Sequence, residues 1–131
     1  MSRIRISKDR AYFPINDHLH DVMLTITGKG GHDEINIYFR NQCHNRIAHN
    51  LEFVVIEIDT DKNRLYFLPG TKITGYKLTR QKNNRTYCFK ISKQTPGFVD
   101  IFKPFVGTFD MIFDQEEKAY FIDESSKCEE A

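Results

Sequence analysis

Apolar and polar residues alternate at every second position through most of this chain, and that pattern limits the fold more than any other feature. Side chains of a strand point alternately to its two faces, so period-two patterning specifies half-buried strands, whereas a helix needs a period near 3.6. "EINIYFR" places Ile35, Ile37 and Phe39 on one face and Asn36, Tyr38 and Arg40 on the other, directly after the "GKGGHD" turn. "FVVIEIDTDKNRLYFLPG" holds two β-rich runs joined by the polar cluster Asp59 to Asn63, a hairpin with Val54, Ile56 and Ile58 toward the core. A second hairpin is expected in "GYKLTRQKNNRTYCFKIS", turning at Lys82, Asn83 and Asn84, with Tyr87, Phe89 and Ile91 sharing a face. The third is "GTFDMIFDQEEKAYFID", where Phe109, Met111 and Phe113 alternate against Asp110, Ile112 and Asp114. "RIRIS" and "RAYFP" near the start are shorter strand candidates.

Helical signals are fewer. "TPGFVDIFKPFVG" offers Thr95 as N-cap, Pro96 at the first helical position, and Phe98, Ile101, Phe102 and Phe105 at the spacing of one apolar helix face. "NDHLHDVML", capped by Asn16 or Asp17, is a second helical candidate, with a strand through Thr27 as its alternative. The expected fold is a strand-dominated α+β domain: a largely antiparallel sheet of hairpins with one or two short helices. At 131 residues the chain has the length of one domain and can bury a core without disulfides or metal. Residues 1–124 form that domain and 125–131, within "DESSKCEEA", an acidic tail. Residues 54 to 68 and 108 to 122 share a layout of strand, acidic turn and aromatic-rich strand, with too little identity to establish duplication.

No segment reaches the roughly 18 consecutive apolar residues of a membrane span, and "MSRIRISKDRAYFP" has no apolar run of signal-peptide length. Cys43, Cys88 and Cys128 are odd in number and far apart, which suits a reducing compartment. A cytoplasmic location is expected. The formal charge is only +1, yet the charge is segregated along the chain. From Lys62 to Val99 there are nine basic residues and no acidic one; from Thr108 onward eight acidic residues face two lysines.

Four constellations bear on chemistry. "CHNRIAHN" puts Cys43, His44 and His49 within seven positions, and His32 precedes the strand before them. Thiolate and imidazole at such spacings suit a zinc site, for which His32, Cys43, His44 and His49 are the candidate ligands, with His18 or His20 able to complete the set. The absence of a C-x-x-C knuckle leaves surface histidines as the alternative. The basic block interleaves tyrosines with cations, so Arg64, Tyr76, Lys77, Arg80, Arg85 and Tyr87 are candidates for phosphate and base contact on a single-stranded nucleic acid. A pI of 7.7 argues the other way. The acidic hairpin presents Asp110, Asp114, Glu116 and Glu117, carboxylates able to occupy phosphate positions in a basic groove on a protein partner. Catalytic signatures are missing: "GKGG" lacks the Walker pattern, and neither a G-x-S-x-G elbow nor an H-E-x-x-H helix occurs. The expectation is a non-enzymatic protein.

"VVIEIDTDKNRLYFLPGTKITGYKLTRQKNNRTYCFKIS" followed by "FVGTFDMIFDQEEKAYFIDE", about half the chain, resembles small β-rich proteins of phages and mobile elements of Gram-positive bacteria, a class that includes anti-CRISPR proteins. "RISKDRAYFPINDHL" is similar to the opening of swapped-hairpin regulators of the AbrB type, although the Gly-Asp turn of those proteins is lacking. The first resemblance implies an interaction protein that inhibits a nucleic-acid-processing complex such as a CRISPR effector nuclease. A nucleic-acid-binding β module using the basic hairpins of residues 62–93 is the alternative.

Overall fold

The computed structural model describes residues 20–29, 32–40, 43–47, 52–80, 86–92 and 97–128. Its strands are β1 (Val22–Lys29), β2 (His32–Phe39), β3 (Phe53–Asp59), β4 (Arg64–Pro69), β5 (Tyr76–Lys77), β6 (Thr79–Arg80), β7 (Tyr87–Ser92), β8 (Gly107–Phe109), β9 (Ile112–Asp114), β10 (Ala119–Ile122) and β11 (Lys127–Cys128). They form one sheet of order β11-β8-β1-β2-β7-β6 and another of order β5-β3-β4-β10-β9, every pairing antiparallel.

Two runs of chain change sheets, as the corners of orthogonally packed sheets do. In residues 76–80, β5 pairs with β3 and β6 pairs with β7, the change falling at buried Leu78, whose N–H donates to the Glu52 carbonyl at 2.8 Å. In residues 107–114, β8 pairs with β1 and β9 with β10, the change falling at Asp110 and Met111. Followed through both corners, the pairing returns to its start, so the two sheets make a flattened antiparallel barrel.

Its interior holds Leu24, Ile35, Ile37 and Phe39 from one sheet and Val54, Leu65, Phe67 and Ile122 from the other, all essentially inaccessible. Phe39 ties the sheets together, meeting Phe67 edge-on at 5.1 Å and stacking near Phe89 at 6.0 Å. The alternation of "EINIYFR" therefore faces the core as expected. Asn36 on its opposite face is also buried, its amide donating to the hydroxyls of Thr25 and Thr27.

The helical part of an α+β domain is small among the described residues: a four-residue α-helix, α1 (His44–Ile47), and 3-10 segments at Val99–Phe105 and Glu124–Ser126. The apolar run expected as an α-helix winds with period three instead. Phe102 and Phe105 are buried with Val99 packed beside them, while Ile101, placed on the core face by α-helical spacing, is exposed. Pro104 supplies no N–H to an α-helical ladder. Thr95 and Pro96, "RIRIS", "RAYFP" and the Lys82–Asn84 turn lie outside the described residues. Of the "NDHLHDVML" alternatives, the strand holds from Val22 onward.

The expected tail also needs correction. Asp123 caps the Glu124–Ser126 turn in a reciprocal capping box with Ser126, and Lys127 and Cys128 then pair with β8. Residues 125–128 thus belong to the barrel.

The shared layout noticed in the sequence is a pair of equivalent hairpins. Asp59 Oδ1 accepts the N–H groups of Asp61 and Lys62, and Asn63 closes the turn at φ 52°. Asp114 Oδ1 accepts those of Glu116 and Glu117, and Lys118 closes at φ 53°. β4 and β10 then lie side by side with Tyr66 opposite Phe121, Leu65 opposite Ile122 and Phe67 opposite Tyr120. A local two-fold axis through the Tyr66–Phe121 pair relates the hairpins.

Candidate functional site

Asp114 is held inside the fold. Its Oδ2 accepts the Tyr66 hydroxyl at 2.8 Å and Arg64 Nη1 at 3.1 Å, while Oδ1 is occupied by the turn amides, leaving the side chain only 9% exposed. The Tyr66 hydroxyl first, then the backbone amides of Glu117 and Glu116 and the Arg64 charge, hold its carboxyl below the usual range against some desolvation. Arg64 is equally committed: its guanidinium lies 4.1 Å over the Phe121 ring and its Nε 3.7 Å from Asp123. One residue expected to meet a partner and one expected to meet phosphate are thus bound to each other.

Glu116 and Glu117 remain exposed, with no ion-pair partner among the described residues. Beside them β9, an edge strand, carries Ile112 at 37% and Phe113 at 42% exposure. Phe113 shares the sequence alternation of Phe109 and Met111, but the change of sheets at Asp110 and Met111 separates them: Phe109 and Met111 are buried, whereas Phe113 lies at the rim and meets Tyr120 edge-on at 5.1 Å.

Because Tyr120 lies opposite Phe67, the turn of residues 115–118 emerges at the same end of the sheet as the loop of residues 70–75 that follows β4. That loop presents Ile73 at 95% exposure. It is braced by mutual hydrogen bonds between Thr71 and Thr74, by Gly75 N–H to the Thr71 carbonyl and by Gly70 N–H to the Phe53 carbonyl. Gly75 packs so closely that a Cβ there would lie 2.8 Å from Phe53 Cβ. Ile73 was not among the residues picked out from sequence, although an apolar residue inside "GTKITG", with no strand neighbours to pack against, is a legible signal. Ile73, Phe113, Glu116 and Glu117 lie toward one end of the five-stranded sheet, but the Ile73 loop is braced on β3 and leads to β5 whereas Phe113 is on β9, so three to four strand spacings, about 14–19 Å, separate them across that end.

The basic set is dispersed. Arg64 lies in the five-stranded sheet with Tyr76 and Lys77, whereas Arg80 and Tyr87 lie in the six-stranded one. Tyr76 stacks on Phe89 at 5.5 Å and packs against the core, as does Tyr87, so these rings offer no open stacking platform. Lys77 and Arg80 are exposed, and Arg85 lies outside the described residues.

The zinc candidates separate too. His32 is the first residue of β2 and Cys43 hydrogen-bonds to Arg40, just past the strand's last residue Phe39, so the seven strand steps from His32 to Phe39, about 24 Å, put the two at opposite ends of the strand. Convergence of His32 with Cys43 around one loop is thereby excluded by the straight strand between them. Cys43 is buried and its thiol donates to the Asp21 carbonyl at 3.2 Å; burial first, then the nearby Asp21 charge, pushes it up to about 12. His44 begins α1, and His49 and His18 lie outside the described residues.

His20 does enter a polar junction, but with other partners. Its Nδ1 is 3.2 Å from Asp110 Oδ1, which also accepts the Asp21 N–H at 3.3 Å, and Asp110 Oδ2 accepts the Cys128 thiol at 3.4 Å. Behind it, buried Asp21 takes Arg46 Nη1 at 2.8 Å and the Met111 N–H at 3.1 Å on one carboxylate oxygen. Sequence reading missed Asp21 and Cys128 because their partners lie about 90 and 18 positions away.

Among the described residues no helix is long and apolar enough to cross a membrane. No protein family, curated protein or solved structure matches the chain.

Proposed function

We propose that the chain is a non-enzymatic interaction protein that docks through the rim formed by Ile73, Phe113, Glu116 and Glu117. The observation that carries this reading is Ile73: a β-branched apolar side chain 95% exposed at the tip of a loop braced at both ends. A rigid apolar anchor loses little conformational freedom on binding, and such anchors inside a polar surround dominate interface energetics. The exposed edge of β9 adds apolar surface. Native edges are commonly blunted with lysine or proline, whereas this one carries Ile112 and Phe113. With only three residues in β9, side chains rather than strand addition make the contact.

The partner that fits is a protein with an apolar pocket for Ile73 and basic residues facing the turn of residues 115–118, because Glu116 and Glu117 are the exposed charges of that turn, whereas the charge next to Ile73 itself is Lys72. Basic grooves of that kind belong to nucleic-acid-handling proteins, which accords with the resemblance to phage-borne inhibitors of complexes such as CRISPR effector nucleases. Lost pull-down of the captured protein by Glu116→Lys/Glu117→Lys, and its release from the wild-type chain by heparin, are the expected results. Retention by the double variant at an unchanged melting temperature would reject the acidic rim, and indifference to heparin would reject a basic groove.

A further inference from the structure

The junction at His20, Asp110 and Cys128 has a chemistry that docking does not use. Three donors of different type, an imidazole nitrogen, a carboxylate oxygen and a thiol sulfur, lie within 4.8 Å of one another. They come from three separate parts of the fold: the entry to β1, the corner between β8 and β9, and β11. The backbone of each is held by a hydrogen bond. The Asp110 N–H donates to the Ser126 carbonyl, the Thr108 hydroxyl donates to the Cys128 carbonyl, and the His20 carbonyl accepts Arg40 Nε.

We propose that His20, Asp110 and Cys128 bind a divalent zinc-class cation with a fourth, solvent-facing position. Tetrahedral zinc with bonds near 2.0 to 2.3 Å sets donors about 3.3 Å apart for nitrogen and oxygen, and about 3.6 Å apart for oxygen and sulfur. The separations here are 3.2 Å from His20 Nδ1 to Asp110 Oδ1 and 3.4 Å from Cys128 Sγ to Asp110 Oδ2, with the three donors within 4.8 Å of one another. Capture therefore needs the carboxylate to turn and the imidazole and thiol to close by up to about 1 Å. The cation replaces the thiol proton of Cys128, whose sulfur lies 3.4 Å from Asp110 Oδ2 and 3.3 Å from the Ser126 carbonyl; that proton leaves to solvent, and carboxylate plus thiolate balance the double charge. The mixed N, O, S donor set suits borderline zinc over calcium or magnesium, which take oxygen ligands. Side-chain exposures of 30% for His20 and 52% for Asp110 leave the ion reachable from solvent. Bound there, the cation pins the segment entering β1 to the barrel corner and to the last strand.

The test is titration of the metal-stripped full chain with Co2+, read by the near-ultraviolet thiolate-to-cobalt charge-transfer band, followed by displacement with Zn2+. The wild-type chain and Cys88→Ser should give the band at one equivalent and lose it to Zn2+. Cys128→Ser should abolish it, and His20→Ala and Asp110→Asn should each weaken Co2+ binding at least tenfold, with folding of every variant checked by circular dichroism. Absence of the band in the wild-type chain overturns the proposal, as does its survival in Cys128→Ser. If Cys128→Ser does not fold, unchanged affinity in Asp110→Asn and His20→Ala overturns it equally.

Discussion

Replacing Ile73 by alanine separates a docking residue from a folding residue, because the two roles predict opposite readouts. The side chain is 95% exposed, so truncation opens no cavity and removes no packing. Surface changes away from caps and special backbone positions shift stability by about 0.5 kcal/mol or less. For a domain of this size the melting temperature should therefore stay within about 2 °C. Docking would be affected far more. Ile73→Ala removes three carbons, each contributing about 0.8 kcal/mol when taken out of water, so full burial in a partner pocket implies a loss of about 2.4 kcal/mol, or about 50-fold in Kd. Both quantities are measurable on one preparation, by thermal melting of the free chain and by calorimetric titration against the protein it captures. A fall of several degrees in melting temperature, or a Kd within twofold of wild type, would refute the anchor argument.

Two further outcomes follow from the fold. Cys43, with its pKa raised from 9.0 to about 12, should carry roughly a thousandfold less thiolate below pH 9 than an unperturbed cysteine and stay unlabelled by a disulfide reagent until the chain unfolds. Since its folded value lies above its unfolded one, its contribution to stability is complete below pH 9 and declines between pH 9 and 12; Cys43→Ala should flatten that part of a pH-stability profile, and an unchanged slope would contradict the assignment. Lys118, at φ 53°, adopts a left-handed conformation costly for a side chain with a Cβ, whereas Asn63 at the equivalent place tolerates it. Lys118→Gly should therefore stabilise by about 0.5–1 kcal/mol and Asn63→Gly by a few tenths at most, with equal shifts in urea melts arguing against the strain.

The hairpins were legible because their signals are local. Asp59 to Asn63 announces its turn, and Ile35, Ile37 and Phe39 announce a buried face, within a few residues of sequence. The corners were illegible for the same reason: nothing around Leu78 or Asp110 says that pairing passes from one sheet to the other. That one omission matters twice: it hid the separation of Phe113 from Phe109 and Met111, and it left Cys128 in a tail. The spacing of Phe98, Ile101, Phe102 and Phe105 misled differently, since positions three apart serve α and 3-10 windings alike and only Pro104 hints at the tighter one. Arg64, Tyr66 and Asp114 could not be joined from sequence because about 50 positions separate the arginine from the carboxylate.

The geometrically equivalent hairpin supplies an internal control for the charges of the 115–118 turn. Both turns use an aspartate that accepts two backbone amides and a left-handed residue at the fourth turn position; neither device depends on the side chains between. Those intervening positions are Thr60, Asp61 and Lys62 in one turn and Gln115, Glu116 and Glu117 in the other. Folding is satisfied by a nearly neutral sequence in the first, so the two adjacent carboxylates of the second are not required by turn geometry. Like charges side by side on an exposed turn repel slightly, and under the proposed docking role Glu116 and Glu117 act on a partner rather than on the barrel. Grafting Thr-Asp-Lys onto positions 115–117 makes the argument testable with the turn's own relative as donor. The graft should melt with the wild-type chain, since Asp114 and Lys118 are untouched, and should lose partner capture. A graft that melts lower would show that Glu116 and Glu117 serve the turn, and one that still captures would show that the rim works through its apolar residues alone.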